Sequence, residues 1–211
     1  QVAIRELASV DSGGSVALET TGPGATMTQN GTVNAAGNIS MKSDGHIEHG
    51  GFTLAGAGIQ IEADTMDITR EESRLEAEGD IVGTFGTLTN KGVIQTSHNI
   101  RFVGENVELG KFTHADGQIH ITTSGVTTNS GTVITPVVIF DGEGTLHNSV
   151  GGFLEGNADT IRLDMRSFLN DGGQFYWRTP FNEQFRGFFD NGSGLFEVNG
   201  GMSVVTGEYF G

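Results

Sequence analysis

Carboxylates and imidazoles are the groups of this chain best suited to chemistry, and their spacing decides whether they could act together. Asp141 and Glu143 lie two residues apart, and one repeat further on Asp159 and Asp164 flank Arg162. A β-helical polysaccharide lyase needs a calcium-holding set of carboxylates beside a basic residue, and a glycosidase needs two carboxylates about 5 to 10 Å apart across a groove. These acids stand beside glycine or within alternating strands, where outward carboxylates are ordinary, so catalysis is the weaker reading. His46-Ile-Glu-His49 puts two imidazoles three apart at a turn, while His98, His114, His120 and His147 are isolated. Without a third convergent ligand they do not make a zinc set. The calcium nonapeptide of secreted β-rolls fails at its fourth position in both Gly50-Gly51-Phe52 and Gly172-Gly173-Gln174. No glycine-rich phosphate loop or nucleophile elbow is present. The expectation is a protein that is not an enzyme and uses no metal or cofactor.

The elements that position these residues are repeats. A phrase of the form hydrophobe-x-Asn-x-Gly recurs as Met27-Thr-Gln-Asn30-Gly31, Leu88-Thr-Asn90-Lys-Gly92, Val126-Thr-Thr-Asn129-Ser-Gly131, Leu146-His-Asn148 and Phe168-Leu-Asn170-Asp-Gly172-Gly173. It divides the chain into coils beginning near Met27, His46, Met66, Thr87, Val107, Val126, Thr145 and Phe168, and self-similarity at about 20 residues signifies a solenoid. Within the coils Gly31-Thr-Val33, Asn38-Ile39-Ser-Met41, Ile59-Gln-Ile61, Ile119-His-Ile121 and Ile161-Arg-Leu163 alternate apolar with polar, the mark of short strands with one buried face. Such strands are too short for independent hairpins, but stacked coil on coil they pair in parallel about 4.8 Å apart. The predicted fold is all-β, a right-handed parallel β-helix, the hand following from the crossover rule. Asn30, Asn90, Asn129, Asn148 and Asn170 are expected to be structural turn residues bonding to their own backbone or to the next coil's amide, with the following glycine supplying a positive φ. Residues 1–26 form an initial coil, 27–173 the repeats, and 174–211 an aromatic-rich terminal coil or loop of the same solenoid.

Composition agrees with many tight turns: 34 Gly against 3 Pro in 211 residues. A net charge of −15 argues against nucleic-acid partners and anionic lipid surfaces, both of which need clustered Lys and Arg. With no Cys there are no disulfides or thiolate metal sites, and no apolar run approaches the roughly 20 residues of a membrane span. The start, Gln1-Val2-Ala3-Ile4-Arg5, has neither an initiator Met nor a signal-peptide core, so the chain is expected to be a piece of something larger.

Two stretches depart from the pattern. Between Ile59 and Glu78 there is no glycine, and Glu62, Asp64, Asp67, Glu71, Glu72, Glu76 and Glu78 gather around Arg70 and Arg74, as either a short helix or the solvated face of a coil. In the last 44 positions fall 11 of the 17 aromatic residues, including Tyr209 and Phe210. The plainer reading is a coil packed with Phe stacks; the functional one is an exposed aromatic loop whose receptor contacts are Tyr176, Trp177, Arg178, Phe181 and Phe185, since Trp, Tyr and Arg dominate interface hot spots.

Leu88-Thr-Asn90-Lys-Gly92-Val-Ile94 followed by Asn99-Ile-Arg-Phe102 resembles the filamentous-haemagglutinin repeat of two-partner-secreted exoproteins. Leu146-His-Asn148 with Gly151-Gly152-Phe153, and Phe168-Leu-Asn170-Asp-Gly172-Gly173-Gln-Phe175, resemble it with one extra or shifted residue, and the likeness covers about residues 27 to 175. The resemblance implies a β-helical fibre, secreted or on a bacterial surface, as in adhesins and in effectors of contact-dependent growth inhibition. Such a fibre passes an outer-membrane transporter during secretion and meets an outer-membrane protein or glycan on a target cell. The coils near Met66 and Val107, which lack the Asn-Gly turn, are where a receptor-binding surface would replace plain stalk. A polysaccharide-degrading β-helix and a ligandless stalk are the competing expectations.

Overall fold

The computed structural model describes residues 1–156, 161–178, 180–199 and 202–207, and all the regular elements among them are β-strands. Alternation of apolar and polar residues over four or five positions, closed by Gly, Asn or Ser, makes most strands short and one-sided. Its backbone groups are satisfied by the equivalent strands of the coils before and after, always in parallel. The result is the expected parallel β-helix.

Each coil lays one strand on each of three faces. Face one holds Thr26–Gln29, His46–His49, Val126–Asn129, Thr145–Asn148 and Ser167–Asn170 together with the second halves of three long strands. Face two is a ten-stranded sheet running from Ser9–Ser12 through Thr32–Ala35, Phe52–Ala55, Arg74–Ala77, Val93–Thr96, Phe112–Ala115, Thr132–Thr135, Phe153–Gly156 and Gln174–Trp177 to Leu195–Val198. Face three starts at Val16–Thr20 and Ile39–Ser43, takes the first halves of the long strands, and continues through Gln118–Thr123 and Val137–Asp141 to Ile161–Asp164. There its ladder breaks: among the described residues Phe181–Phe185 pairs with Met202–Thr206 alone, in a separate sheet. The initial coil is built like the others, its three strands pairing with those of the second coil.

Registry converts the repeat into rows. On face one Met27, Ile47, Met66, Leu88, Val107, Thr127, Leu146 and Phe168 stack inward, each 19 to 22 residues after the last. Ile39, Ile59, Ile81, Ile100, Ile119 and Val138 do the same on face three, all at most 2 % exposed. Burying each such side chain contributes about 1.5–3 kcal/mol, which is how a rod with no globular centre holds together.

The second inward row of face one runs Gln29, His49, Ile68, Asn90, Leu109, Asn129, Asn148, Asn170. Four of the five predicted turn asparagines occupy it, fully buried. Asn90 Oδ1 accepts from the Gly92 amide at 2.9 Å, the expected bond to its own backbone. Asn148 donates to Asn170 Oδ1 at 2.8 Å and Asn170 to Asn191 Oδ1 at 2.7 Å, the expected bond between coils. Asn30 is the exception: it follows the row by one residue, and Gln29 fills the slot, donating to the Gly31 and Phe52 carbonyls.

The glycines after these asparagines also work differently from expectation. Gly172 has φ of 76°, but Gly31, Gly92 and Gly131 are not in the left-handed region. Close approach explains glycine there and at Gly173, where a Cβ would lie 2.4 Å from Asn148 Nδ2. Gly173 makes room for the Asn148 amide one coil below, and Gly31, Gly92 and Gly131 make room chiefly for neighbouring backbone.

The glycine-free acidic stretch is no helix. Ile59–Ile68, like Ile81–Asn90 and Ile100–Leu109 after it, is an unbroken ten-residue strand that turns the corner from face three to face one. Its acids point outward, with Glu62 paired to Lys42 at 3.1 Å and, beyond the strand, Glu71 to Lys111 at 2.6 Å. The solvated-face reading is the one the fold adopts.

Candidate functional site

Of the two readings of the aromatic stretch the fold adopts the plainer one, a coil packed with Phe stacks, although its third-face strand has left the main ladder. In Gln174–Trp177 the side chains alternate, so Phe175 and Trp177 point inward with 0 % and 2 % exposure. Phe181 and Phe185 are likewise buried. Phe175 stacks on Phe196 with centroids 4.6 Å apart and rings 3° from parallel, and Phe168 meets Phe175, Phe185, Phe189 and Phe196. Trp177, Phe181 and Phe185 are therefore core residues and present no free contact surface, a correction of the exposed-loop expectation. Of the five, Tyr176 faces outward half-buried and Arg178 is exposed. Tyr209 and Phe210 lie outside the described residues.

Outward alternation on face two produces an unusual surface. One row carries Phe52, Arg74, Val93, Phe112, Thr132 and Phe153; its neighbour carries Asn34, Leu54, Glu76, Gln95, His114, Ile134, Glu155, Tyr176 and Glu197. Aromatic and aliphatic groups are thus interspersed with hydrogen-bonding ones along the sheet. Two grooves follow the second row. One, of about 620 Å³, is bounded by Asn34, Glu76, Gln95, His114 and the turn residues Glu78 and Asp116. The other, about 370 Å³, is bounded by Phe153, Glu155, Tyr176, Arg178, Glu197 and Asn199. In it the Phe153 and Tyr176 rings stand 5.5 Å apart at 40°, and Arg178 is ion-paired to Glu155. His114 stacks on Phe112 at 6.0 Å in the first.

No family model, curated protein or solved structure matches the chain. Its site must be read from geometry alone.

The acids considered for catalysis are distributed differently. Asp141 and Asp164 are register partners on face three, and Asp141 receives His120 Nε2 at 2.7 Å. Partial burial opposes ionisation of Asp141, yet hydrogen bonds from Thr122 and His120 and the nearby Arg162 hold its carboxyl below the ordinary value. Arg162 bonds to Asp164 at 3.0 Å, whereas Glu143 is turned away to Arg186, and Asp159 lies outside the described residues. This is an ion-pair network on the outward side of face three. Among the described residues no group of three or more His, Cys, Asp or Glu is placed to hold a metal, and no helix is long and apolar enough to cross a membrane.

Among the described residues two titratable groups point inward. His49 is fully buried, with Nε2 3.0 Å from Thr53 Oγ1, and burial pushes its pKa down to about 4. Glu183 lies between Phe181 and Phe185 on the inward side of its strand, and burial, aided by Asp164, pushes it up to about 7.

Sequence reasoning missed Phe112, His114, Phe153, Glu155, Glu197 and Asn199. Phe153 and Tyr176 are 23 positions apart, and only a register that absorbs unequal coil lengths makes them neighbours. The one available signal was parity: within Gln174–Trp177, Tyr176 alternates against Phe175 and Trp177.

Proposed function

We propose that this chain is a non-enzymatic recognition segment of a large secreted or surface-borne bacterial exoprotein of the filamentous-haemagglutinin type. The observation that carries the reading is the alignment of the repeat-phrase asparagines Asn90, Asn129, Asn148 and Asn170 in one buried row, the last three in successive coils and Asn90 two coils before them, as such a repeat would place them. A rod built this way holds a rigid outward sheet away from its point of attachment, and face two supplies a surface with paired rings and hydrogen-bonding side chains on that sheet. In this reading the chain works outside the cell as an adhesion and receptor-binding module, in an adhesin or in an effector of contact-dependent growth inhibition. Its target is an outer-membrane protein or glycan of another cell, and it leaves its own cell through an outer-membrane transporter.

The test is retention of the purified chain on intact bacterial cells and on outer-membrane extracts. Saturable binding, abolished by excess unlabelled chain, supports the reading. No binding to any surface favours a plain stalk, and release of reducing or unsaturated sugar from polysaccharide substrates favours the enzyme.

A further inference from the structure

We infer that the face-two groove beside Tyr176 is a binding site for a linear, uncharged polysaccharide running along the rod axis, a statement that rests on the recognition role proposed above and names its ligand class. Three observations converge on it.

The first is the shape of the aromatic pair. Tyr176 and Phe153 come from adjacent coils, and their rings, 5.5 Å apart and tilted by 40°, form a shallow open V on the outer surface. A pyranose ring has an apolar C–H face and an edge of hydroxyls, so it lays the face on an aromatic ring and offers the edge to polar neighbours.

The second is what flanks the V. Glu155 stands beside Tyr176 in the same row, Glu197 follows one coil on, and Asn199 closes the end of the groove. The side chains of Glu197 and Asn199 bond to no other described residue. They offer two carboxylate oxygens and an amide with both donor and acceptor, the set that reads vicinal hydroxyls. Strand spacing sets the pitch: equivalent side chains recur about every 4.8 Å along the axis, close to the advance of one sugar per residue in an extended chain. A ligand lying lengthwise meets the same row at each step.

The third is charge. The chain carries −15, and the groove adds Glu155 and Glu197 against Arg178, which Glu155 already pairs. Uronate, sulfate or phosphate groups would be repelled here, which separates uncharged polysaccharides from anionic ones. A protein partner would look for a central apolar anchor pocket with few charges, whereas this groove carries Glu155, Glu197 and Arg178 in its lining.

Affinity electrophoresis of the whole chain through gels holding β-glucan, xylan, galactomannan, dextran, polygalacturonate or chitosan tests the inference. At least one of the four uncharged polymers is expected to retard the protein. Tyr176→Ala should weaken that retardation at least tenfold, Tyr176→Phe should largely preserve it, and Thr28→Ala on face one should leave it unchanged. Far-ultraviolet circular dichroism melts establish that each variant is folded. Retardation by none of the four, retardation only by polygalacturonate or only by chitosan, or retardation indifferent to Tyr176→Ala overturns the inference. Binding to cells that survives both Tyr176→Ala and competition by the retarding polymer would place recognition elsewhere, on a protein receptor, and sink this site while the adhesion role stands.

Discussion

Asn148 accepts a hydrogen bond from Asn129 and donates one to Asn170, each at 2.8 Å, inside a row that water does not reach. Each amide in this stretch depends on the one beneath it. Replacing the middle member leaves a buried donor on one side and a buried acceptor on the other, each costing about 1–3 kcal/mol. Asn148→Ala should therefore lower stability by roughly 2–4 kcal/mol, read as a shift in the urea midpoint. Asn30→Ala, one residue off the row, should cost less than about 1 kcal/mol. Equal effects of the two would contradict the ladder.

Gly173→Ala places a methyl 2.4 Å from Asn148 Nδ2 and 2.7 Å from the Asn148 carbonyl oxygen. Neither can withdraw without breaking the coil below. Destabilisation of about 2 kcal/mol or more is expected, although the backbone there is not in the left-handed region. Thermal melting measures it.

Trp177 and Tyr176 are sequence neighbours on opposite sides of one strand. Trp177→Ala should cost about 3–5 kcal/mol by emptying an aromatic core site, while Tyr176→Ala should cost about 1 kcal/mol or less. Denaturant titration of the pair separates buried from exposed directly. A Trp177→Ala protein as stable as the parent would restore the exposed-loop picture.

His49 gives the molecule an acid limit. Its folded pKa of about 4 is below the ordinary 6.5, so the unfolded chain binds the extra proton between those values. The stability tied to a neutral ring is fully present above pH 6.5 and is lost as pH falls through 4, on the order of 3 kcal/mol in all. His49→Leu should flatten the melting temperature between pH 6.5 and 4, even if Thr53 loses a partner and the whole curve drops.

Glu183 acts in the opposite sense. Its folded pKa, about 7, is above the ordinary 4.5, so the native state binds the extra proton between those values and stability declines as pH rises from 4.5 through 7. Glu183→Gln should raise the melting temperature above pH 7 and remove that part of the slope. His49 contributes the opposite slope over part of this window, so the parent is compared with the variant: a Glu183→Gln protein whose melting temperature follows the same pH dependence as the parent from 4.5 to 7 would argue against an inward Glu183.

Much of this architecture was legible because its rule is local. Alternation in Ile59-Gln-Ile61 or Ile119-His-Ile121 needs no tertiary information, and recurrence of Leu-x-Asn announced the coil length. Asn30 stands off the row because the phrase keeps register on its inward hydrophobe and not on its asparagine: Met27 aligns with Leu88, and the slot of Asn90 falls to Gln29. The acidic stretch allowed a helix because its missing glycines suggested a missing turn, when the strand rounds the corner without one. Parity put Trp177 inside and Tyr176 outside, but an aromatic cluster reads as interface until the alternation is followed residue by residue. The grooves of face two were hidden for a different reason. They are made between coils, by side chains that the sequence keeps some twenty positions apart.

The amide chain from Asn129 to Asn191 occupies only the later coils; the matching slots in the earlier ones hold Gln29, His49 and Ile68, then Asn90 and Leu109. A rod of this kind yields coil by coil from whichever end is weaker, since each rung grips only its neighbours. Pulled lengthwise, it should unravel first from the Gln29 side, leaving the asparagine-laced end, with the Tyr176 groove on it, as the last part to let go.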